Sequence, residues 1–227
     1  MIGVFDSGAG GLTAISELRR IMPNIDICFF ADRKNAPYGT KSQPELVRLV
    51  ERDIRKLCNA GCERVLMACC TASTVFSLLP KDMQNIAHPI ISPTVKEAAR
   101  VTKNGKIGVI ATEATVTSGA FRRELSALGV VREVFELPTQ KLVTLVECGV
   151  TDENIKSSES AKLSRILTPI KNSDIDTLIL GCTHFPHLEK EIGRILPDVR
   201  LISSSREGAK EISKYILPCG TGKTVYL

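Results

Sequence analysis

Thr177-Leu178-Ile179-Leu180-Gly181-Cys182-Thr183-His184-Phe185 decides how this chain is read. An apolar run without polar alternation ends abruptly in Gly, Cys, Thr and His. A parallel strand with both faces covered reads this way, and the chemistry of such sheets gathers at the carboxyl ends of the strands. The same phrase occurs earlier, as Arg64-Val65-Leu66-Met67-Ala68-Cys69-Cys70-Thr71-Ala72-Ser73. A second echo precedes each: Ile2-Gly3-Val4-Phe5 near the start and Ile107-Gly108-Val109-Ile110 near the middle. Two echoes in the same order, at similar separations, predict an internal duplication. The expected fold is α/β, with two similar parallel-sheet α/β halves related by pseudo-two-fold symmetry and an active site in the cleft between them. Residues 1–92 plus 205–227 are expected to form the half carrying Cys69, and 93–204 the half carrying Cys182.

The totals fit that reading. The chain has 227 residues, enough for one large or two small domains with a real core, and its 43% hydrophobic and 24% charged residues are ordinary for a soluble protein. No apolar run is long enough to span a membrane. A strand at the very start, followed by Asp6, is not a signal peptide. The eight cysteines do not sit in a small secreted scaffold; Cys28, Cys58 and Cys62 fall within apolar or helical pattern, so reduced thiols in a cytoplasm are expected. The net charge of +5 is spread along helices, and aromatics make up only 4%, which argues against a nucleic-acid partner. The three histidines and the absence of a zinc-type C-x-x-C pair argue against a metal.

Local signals place the candidate residues. Asp6-Ser7-Gly8-Ala9-Gly10-Gly11 joins the first strand to a helix over 12–20; it lacks the dinucleotide spacing, and its acid suits an ammonium group better than a phosphate. A strand over 25–30 leads to the turn Asn35-Ala36-Pro37-Tyr38-Gly39, where Tyr38 could meet a ligand. Ser42 and Glu45 form a capping box that opens a helix to about residue 59. After the strand over 64–68, a helix from about residue 72 puts Cys69 and Cys70 at its N-terminus, a position that favours thiolate. A short strand over 90–93 is followed by a helix capped by Thr94. Thr112, Thr115 and Ser118 lead into one helix reaching residue 128, and a strand over 130–136 follows it. Glu147 lies near the C-terminal end of a helix over 142–149, where its charge opposes the dipole. Gly220-Thr221-Gly222-Lys223-Thr224 mimics the end of a phosphate loop but lacks its first glycine and its helix; residues 224–227 read as an edge strand.

Two like halves that each offer one cysteine suit proton transfer at a stereocentre. One thiolate removes the proton and the other thiol returns one to the opposite face. Asp6 and His184, each near a strand end in its own half, are placed to assist.

On these residues the sequence resembles glutamate racemase, of the aspartate/glutamate racemase superfamily. The matching segments are Phe5-Asp6-Ser7-Gly8-Ala9-Gly10-Gly11-Leu12-Thr13, Asn35-Ala36-Pro37-Tyr38-Gly39, Ala68-Cys69-Cys70-Thr71-Ala72-Ser73, Ile107-Gly108-Val109 with Thr112 and Thr115, the stretch 142–147, and 178–186. The resemblance implies cofactor-independent interconversion of L- and D-glutamate, supplying D-glutamate for peptidoglycan, in a cytoplasmic enzyme that pairs as a homodimer. It implies Cys69 and Cys182 as the acid/bases, on the D- and L-isomer respectively, with Asp6, His184 and Glu147 in support. It implies that Asp6, Ser7, Tyr38, Gly39, Cys70, Thr71, Thr115, Thr183 and His184 hold the amino acid.

Two departures qualify it. Cys70 stands where the family usually has Asn, a weak hydrogen-bonding group in place of a donor and acceptor. The chain also ends at Leu227, where the family usually continues into a last helix. The alternatives are a racemase or isomerase of another small acid, such as aspartate, and a weakly active member kept as a binding protein.

Overall fold

A computed structural model describes residues 1–217 and 219–227. In chain order the elements are β1 (Ile2–Asp6), α1 (Leu12–Ile21), β2 (Ile27–Ala31), α2 (Gln43–Asn59), β3 (Arg64–Met67), α3 (Cys70–Ser73), α4 (Lys81–Gln84), β4 (Ala87–Pro89) and α5 (Ile91–Val101). There follow β5 (Lys106–Ala111), α6 (Glu113–Thr117), α7 (Ala120–Ser126), β6 (Glu133–Pro138), α8 (Gln140–Glu147), α9 (Ser157–Lys171), β7 (Thr177–Gly181), α10 (Glu189–Ile195), β8 (Arg200–Ser203), α11 (Ser204–Ser213) and β9 (Thr224–Tyr226). They form two compact units, Met1–Pro93 with Ser205–Leu227, and Thr94–Ser204.

The first unit holds a parallel sheet in the order β4-β3-β1-β2-β9, and the second a parallel sheet in the order β6-β5-β7-β8. Read from the Cys-bearing side, the four shared strands run in the same order: β4-β3-β1-β2 and β8-β7-β5-β6. The two sequence echoes land on equivalent strands, β1 with β5 and β3 with β7. This is the duplicated α/β architecture expected from the sequence. In each sheet the first strand has its successors on either side, so the crevice where connections diverge lies beyond the carboxyl ends of β1 and β3, or of β5 and β7. Those ends carry Asp6 and Cys69 in one unit, Thr112 and Cys182 in the other.

Each sheet is buried by an amphipathic helix. Leu46, Val50, Ile54 and Leu57 of α2 pack in one cluster with Phe5, Val65 and Met67. Leu163, Leu167 and Ile170 of α9 pack with Ile110, Leu178 and Leu180. Each such fully buried side chain contributes about 1.5–3 kcal/mol relative to exposure. Gly108 shows how close the layers come: a Cβ there would lie 2.4 Å from Cδ1 of Ile175 and 2.9 Å from Cδ1 of Leu178.

Several local expectations are corrected. Ser42 makes no side-chain cap, and Glu45 instead pairs with Lys41 at 3.2 Å, so α2 starts on Gln43 and Pro44 alone. Residues 90–93 are no strand; helix α5 already begins at Ile91, because Pro93 in a first turn has no N–H to waste. The single helix expected from Thr112 to residue 128 is two, α6 and α7, broken where Gly119 adopts a left-handed φ of +64°. The strand expected over 130–136 is β6, three residues later. β9 is an edge strand parallel to β2, and the phosphate-loop mimic before it is an anchor. Thr221 N–H and hydroxyl (both 2.9 Å) and Lys223 N–H (3.0 Å) donate to Asp26 Oδ1. No helix among the described residues is long and apolar enough to cross a membrane.

Candidate active site

Cys69 lies two residues beyond the end of β3, after Ala68, and is the N-cap of α3. Its Sγ accepts the Ala72 N–H at 3.4 Å and lies 3.5 Å from the Ser7 hydroxyl, which comes from the end of β1. The Ala68 N–H donates to Phe5 O at 2.9 Å and holds the two strand ends in register. Asp6, only 1% exposed, turns Oδ1 back to accept the Gly8 N–H at 2.7 Å, which shapes the loop. Burial pushes the Cys69 thiol up to about 11, with the Asp6 carboxylate adding to it; the Ala72 N–H and Ser7 oppose. The sequence expectation of a thiolate favoured by the helix N-terminus is thereby corrected. α3 is a single turn of four residues, too short for a dipole to outweigh burial and a neighbouring anion. Cys70 and Thr71, in the first turn of α3, are buried beside it.

In the second unit Cys182 follows β7 directly, 8% exposed, and its Sγ stands 3.5 Å from Nδ1 of His184. Thr183, between them, is buried. Nε2 of His184 faces Oε1 of Glu147 at 3.7 Å. Burial holds the His184 imidazole below its usual range, against the pull of Glu147, and His187 pushes the same way as burial. The imidazole is therefore neutral near pH 7 and able to accept a proton at Nδ1. Glu147, the last residue of α8, opposes its own helix dipole and finds its partner in this histidine. Thr112 caps α6: its Oγ1 accepts the Thr115 N–H at 3.3 Å and is bonded to the Thr115 hydroxyl at 2.9 Å. Thr115 itself is fully buried.

The tyrosine of the 35–39 turn is packed inward. The Tyr38 side chain is 2% exposed, and its hydroxyl is engaged with Oδ2 of Asp32 (2.8 Å) and with Oδ2 of Asp53. Asp53 and Arg52 have no part in the sequence reading. The signal was present: Asp53 is a carboxylate on the apolar stripe of α2 formed by Leu46, Val50, Ile54 and Leu57. Among the described residues no group of three or more His, Cys, Asp or Glu could hold a metal ion.

The site therefore resolves into two sets, each at the end of its own sheet. Asp6, Ser7, Cys69, Cys70 and Thr71 gather in the first unit; Glu147, Cys182, Thr183 and His184 gather in the second.

Comparison with known proteins agrees with this geometry. A family model for Asp/Glu/hydantoin racemases matches residues 20–212. The glutamate racemase of Desulforudis audaxviator is 42% identical over 203 residues, 88% of this chain and 73% of that protein. A crystal structure of a glutamate racemase isoform from Bacillus anthracis is 32% identical and superposes with a TM-score of 0.86, over 100% of this chain and 86% of that one. The glutamate racemase of Francisella tularensis, solved in complex with D-glutamate, is 30% identical with a TM-score of 0.84, over 99% and 85% of the two chains. With its duplicated parallel sheets, a cysteine at the equivalent strand end of each, and these relatives along nearly its whole length, the chain belongs to the Asp/Glu/hydantoin racemase family.

Proposed function

We propose that this protein interconverts L- and D-glutamate without a cofactor, Cys69 and Cys182 serving the two faces of the α-carbon. The observation that carries the reading is the placement of the two thiols at equivalent strand ends of two sheets with the same topology, each among polar groups that tune it. The relatives named glutamate racemase support the substrate.

The two environments assign roles. Burial and Asp6 keep Cys69 a thiol at neutral pH, ready to donate a proton. His184, neutral and 3.5 Å from Cys182, takes that thiol's proton and leaves a thiolate; the imidazolium formed then faces Glu147. Starting from L-glutamate, the Cys182 thiolate takes the α-proton, electron density moves into the carboxylate, and Cys69 delivers its proton to the other face. The next turnover from D-glutamate runs the same steps backward. The α-proton is far less acidic than a thiol, so fixed donors around the developing charge must supply the stabilisation. Ser7, Thr71, Thr115 and Thr183, with the Tyr38–Gly39 backbone, are the proposed contacts to the ammonium and carboxylates.

D-glutamate supplied for peptidoglycan in the cytoplasm, by a homodimer, is the setting that the family resemblance favours. A second reading, racemisation or isomerisation of another small acid such as aspartate, is favoured by Cys70, a buried thiol beside Cys69. The test is racemisation of L-glutamate in deuterated water with no added cofactor, followed by circular dichroism and mass spectrometry. The expected result is one deuteron at Cα per inversion, and a loss of at least about a hundredfold in each of Cys69→Ser and Cys182→Ser. Full turnover in both variants overturns the mechanism, and a clear preference for another amino acid in a panel decides for the second reading.

A further inference from the structure

Between Arg33 and Thr40 the chain is half-buried or exposed at every residue except Tyr38. The phenol is therefore the anchor of this turn, and what holds the phenol holds the turn. Two carboxyl groups face it, and Arg52 bonds to both of them. Asp32 follows β2, and its two oxygens accept the Asn35 amide at 2.9 and 3.0 Å; Oδ2 also meets Nη2 of Arg52 at 2.5 Å and the phenol at 2.8 Å. Asp53, fully buried on α2, accepts Nε (2.9 Å) and Nη2 (2.6 Å) of Arg52 at its Oδ1. Its Oδ2 lies against the phenol oxygen.

Counting hydrogens sorts these groups. The phenol has one hydrogen and faces two carboxyl oxygens. With both acids ionised, two anions compete for that hydrogen, and one guanidinium leaves the buried cluster net negative, a costly arrangement. A proton on Oδ2 of Asp53 removes both conflicts. That oxygen then donates to the phenol, the phenol donates to Asp32, and Arg52 neutralises Asp32. Burial raises the Asp53 carboxyl, against the bonds from Tyr38 and Arg52. At Asp32 burial works in the same direction, but bonds from Asn35, Tyr38 and Arg52 outweigh it and leave that acid below its ordinary value.

We propose that Asp53 is a positioning residue that acts as a neutral carboxylic acid: through the Tyr38 phenol it clamps the 33–40 turn and fixes the Tyr38–Gly39 backbone for substrate. The proposal deepens the racemase reading, and rests on it where substrate is concerned. The clamp itself does not.

Asparagine mimics the neutral acid atom for atom. Its Oδ1 keeps accepting from Arg52, and its Nδ2 donates to the phenol. Asp53→Asn is therefore expected to keep KM for glutamate within about twofold, and to leave the rate of tryptic cleavage after Arg33 and Lys34 unchanged. Asp53→Leu, which cannot donate, is expected to raise KM about tenfold or more with kcat within about threefold, and to speed that cleavage at least about tenfold. Tyr38→Phe breaks the clamp from its other side and is expected to behave like Asp53→Leu; it answers the question if the leucine variant does not fold by circular dichroism. Asp53→Asn as damaged as Asp53→Leu would mean that an ionised carboxylate is required, and overturns the proposal. So does wild-type KM and cleavage in both Asp53→Leu and Tyr38→Phe. If the wild-type protein turns over no glutamate, the racemase reading fails, and the trypsin arm still decides the clamp.

Discussion

Replacing Asp6 by Asn tests whether the acid at the end of β1 tunes the thiol at the end of β3. The Cys69 thiol is raised from 9.0 to about 11, first by burial and second by Asp6. A hundredfold change in ionisation corresponds to about 2.7 kcal/mol, at about 1.4 kcal/mol per tenfold. At pH 8 such a thiol is ionised in about one molecule in a thousand, against about one in ten for an ordinary thiol. Asparagine removes the charge of Asp6 but keeps the oxygen that accepts the Gly8 N–H at 2.7 Å, so the loop retains its shape. Burial is unchanged. Losing a like charge of this kind shifts a thiol by on the order of one pH step, so thiolate is expected to rise about tenfold in Asp6→Asn. The assay is the rate of iodoacetamide alkylation between about pH 7 and 10, localised to Cys69 by fragmentation mass spectrometry, with exposed Cys148 as the internal reference. The alkylation curve of Cys69 should move to lower pH in the variant while that of Cys148 stays put. An unmoved curve, or one moved to higher pH, refutes the account of Asp6.

Three further outcomes follow from particular contacts. Gly108→Ala drives a methyl into Ile175 and Leu178, and should cost about 1–3 kcal/mol in chemical denaturation, with m unchanged. Asp176→Ala removes acceptors for the Thr102 hydroxyl (2.7 Å) and the N–H groups of Lys103 (2.6 Å) and Asn104 (2.8 Å), a loss of about 1–2 kcal/mol at pH 7. Burial opposes ionisation of Asp176, but bonds from Thr102, Asn104, Thr177 and Lys103 outweigh it and lower its carboxyl. Its contribution is therefore present above the unfolded value of about 3.9 and is lost as pH falls through the lower folded value, so the difference between the two proteins should shrink in acid. Glu147→Gln leaves the His184 imidazolium without its facing charge, 3.7 Å away; because the carboxylate is 63% exposed the effect should be small, about two- to fivefold in kcat/KM. For a racemase, whose equilibrium constant is one, that loss must be equal from L- and D-glutamate, and polarimetry from both isomers checks it.

Much of the fold was legible because it is written in hydrophobic runs. Thr177–Gly181 and Arg64–Met67 read as buried strands, since a parallel sheet covered on both faces needs unbroken apolar sequence. The cysteines stood out because small polar residues interrupt such runs at the strand ends. Boundaries failed where the local signal was ambiguous. Ile90 and Ile91 look like strand, yet Pro93 suits the first turn of a helix and α5 begins at Ile91; Gly119 reads as one more helical residue, but its left-handed φ breaks the segment. The position of Asp53 on the apolar stripe of α2 marks it as buried, but its partners Tyr38 and Arg52 are set by the fold.

The amino-acid order alone determined that two like α/β halves exist and that each presents a cysteine at a strand end, since periodicity and strand-end chemistry are local properties of the chain. Tertiary structure decided what those residues experience. It buried Cys69 beside Asp6 and so raised a thiol that its helix position suggested would be acidic; it set His184 between Cys182 and Glu147; and it turned Tyr38 inward onto two acids. Burial and the charges of neighbours distant in sequence control protonation, and neither can be read from spacing along the chain.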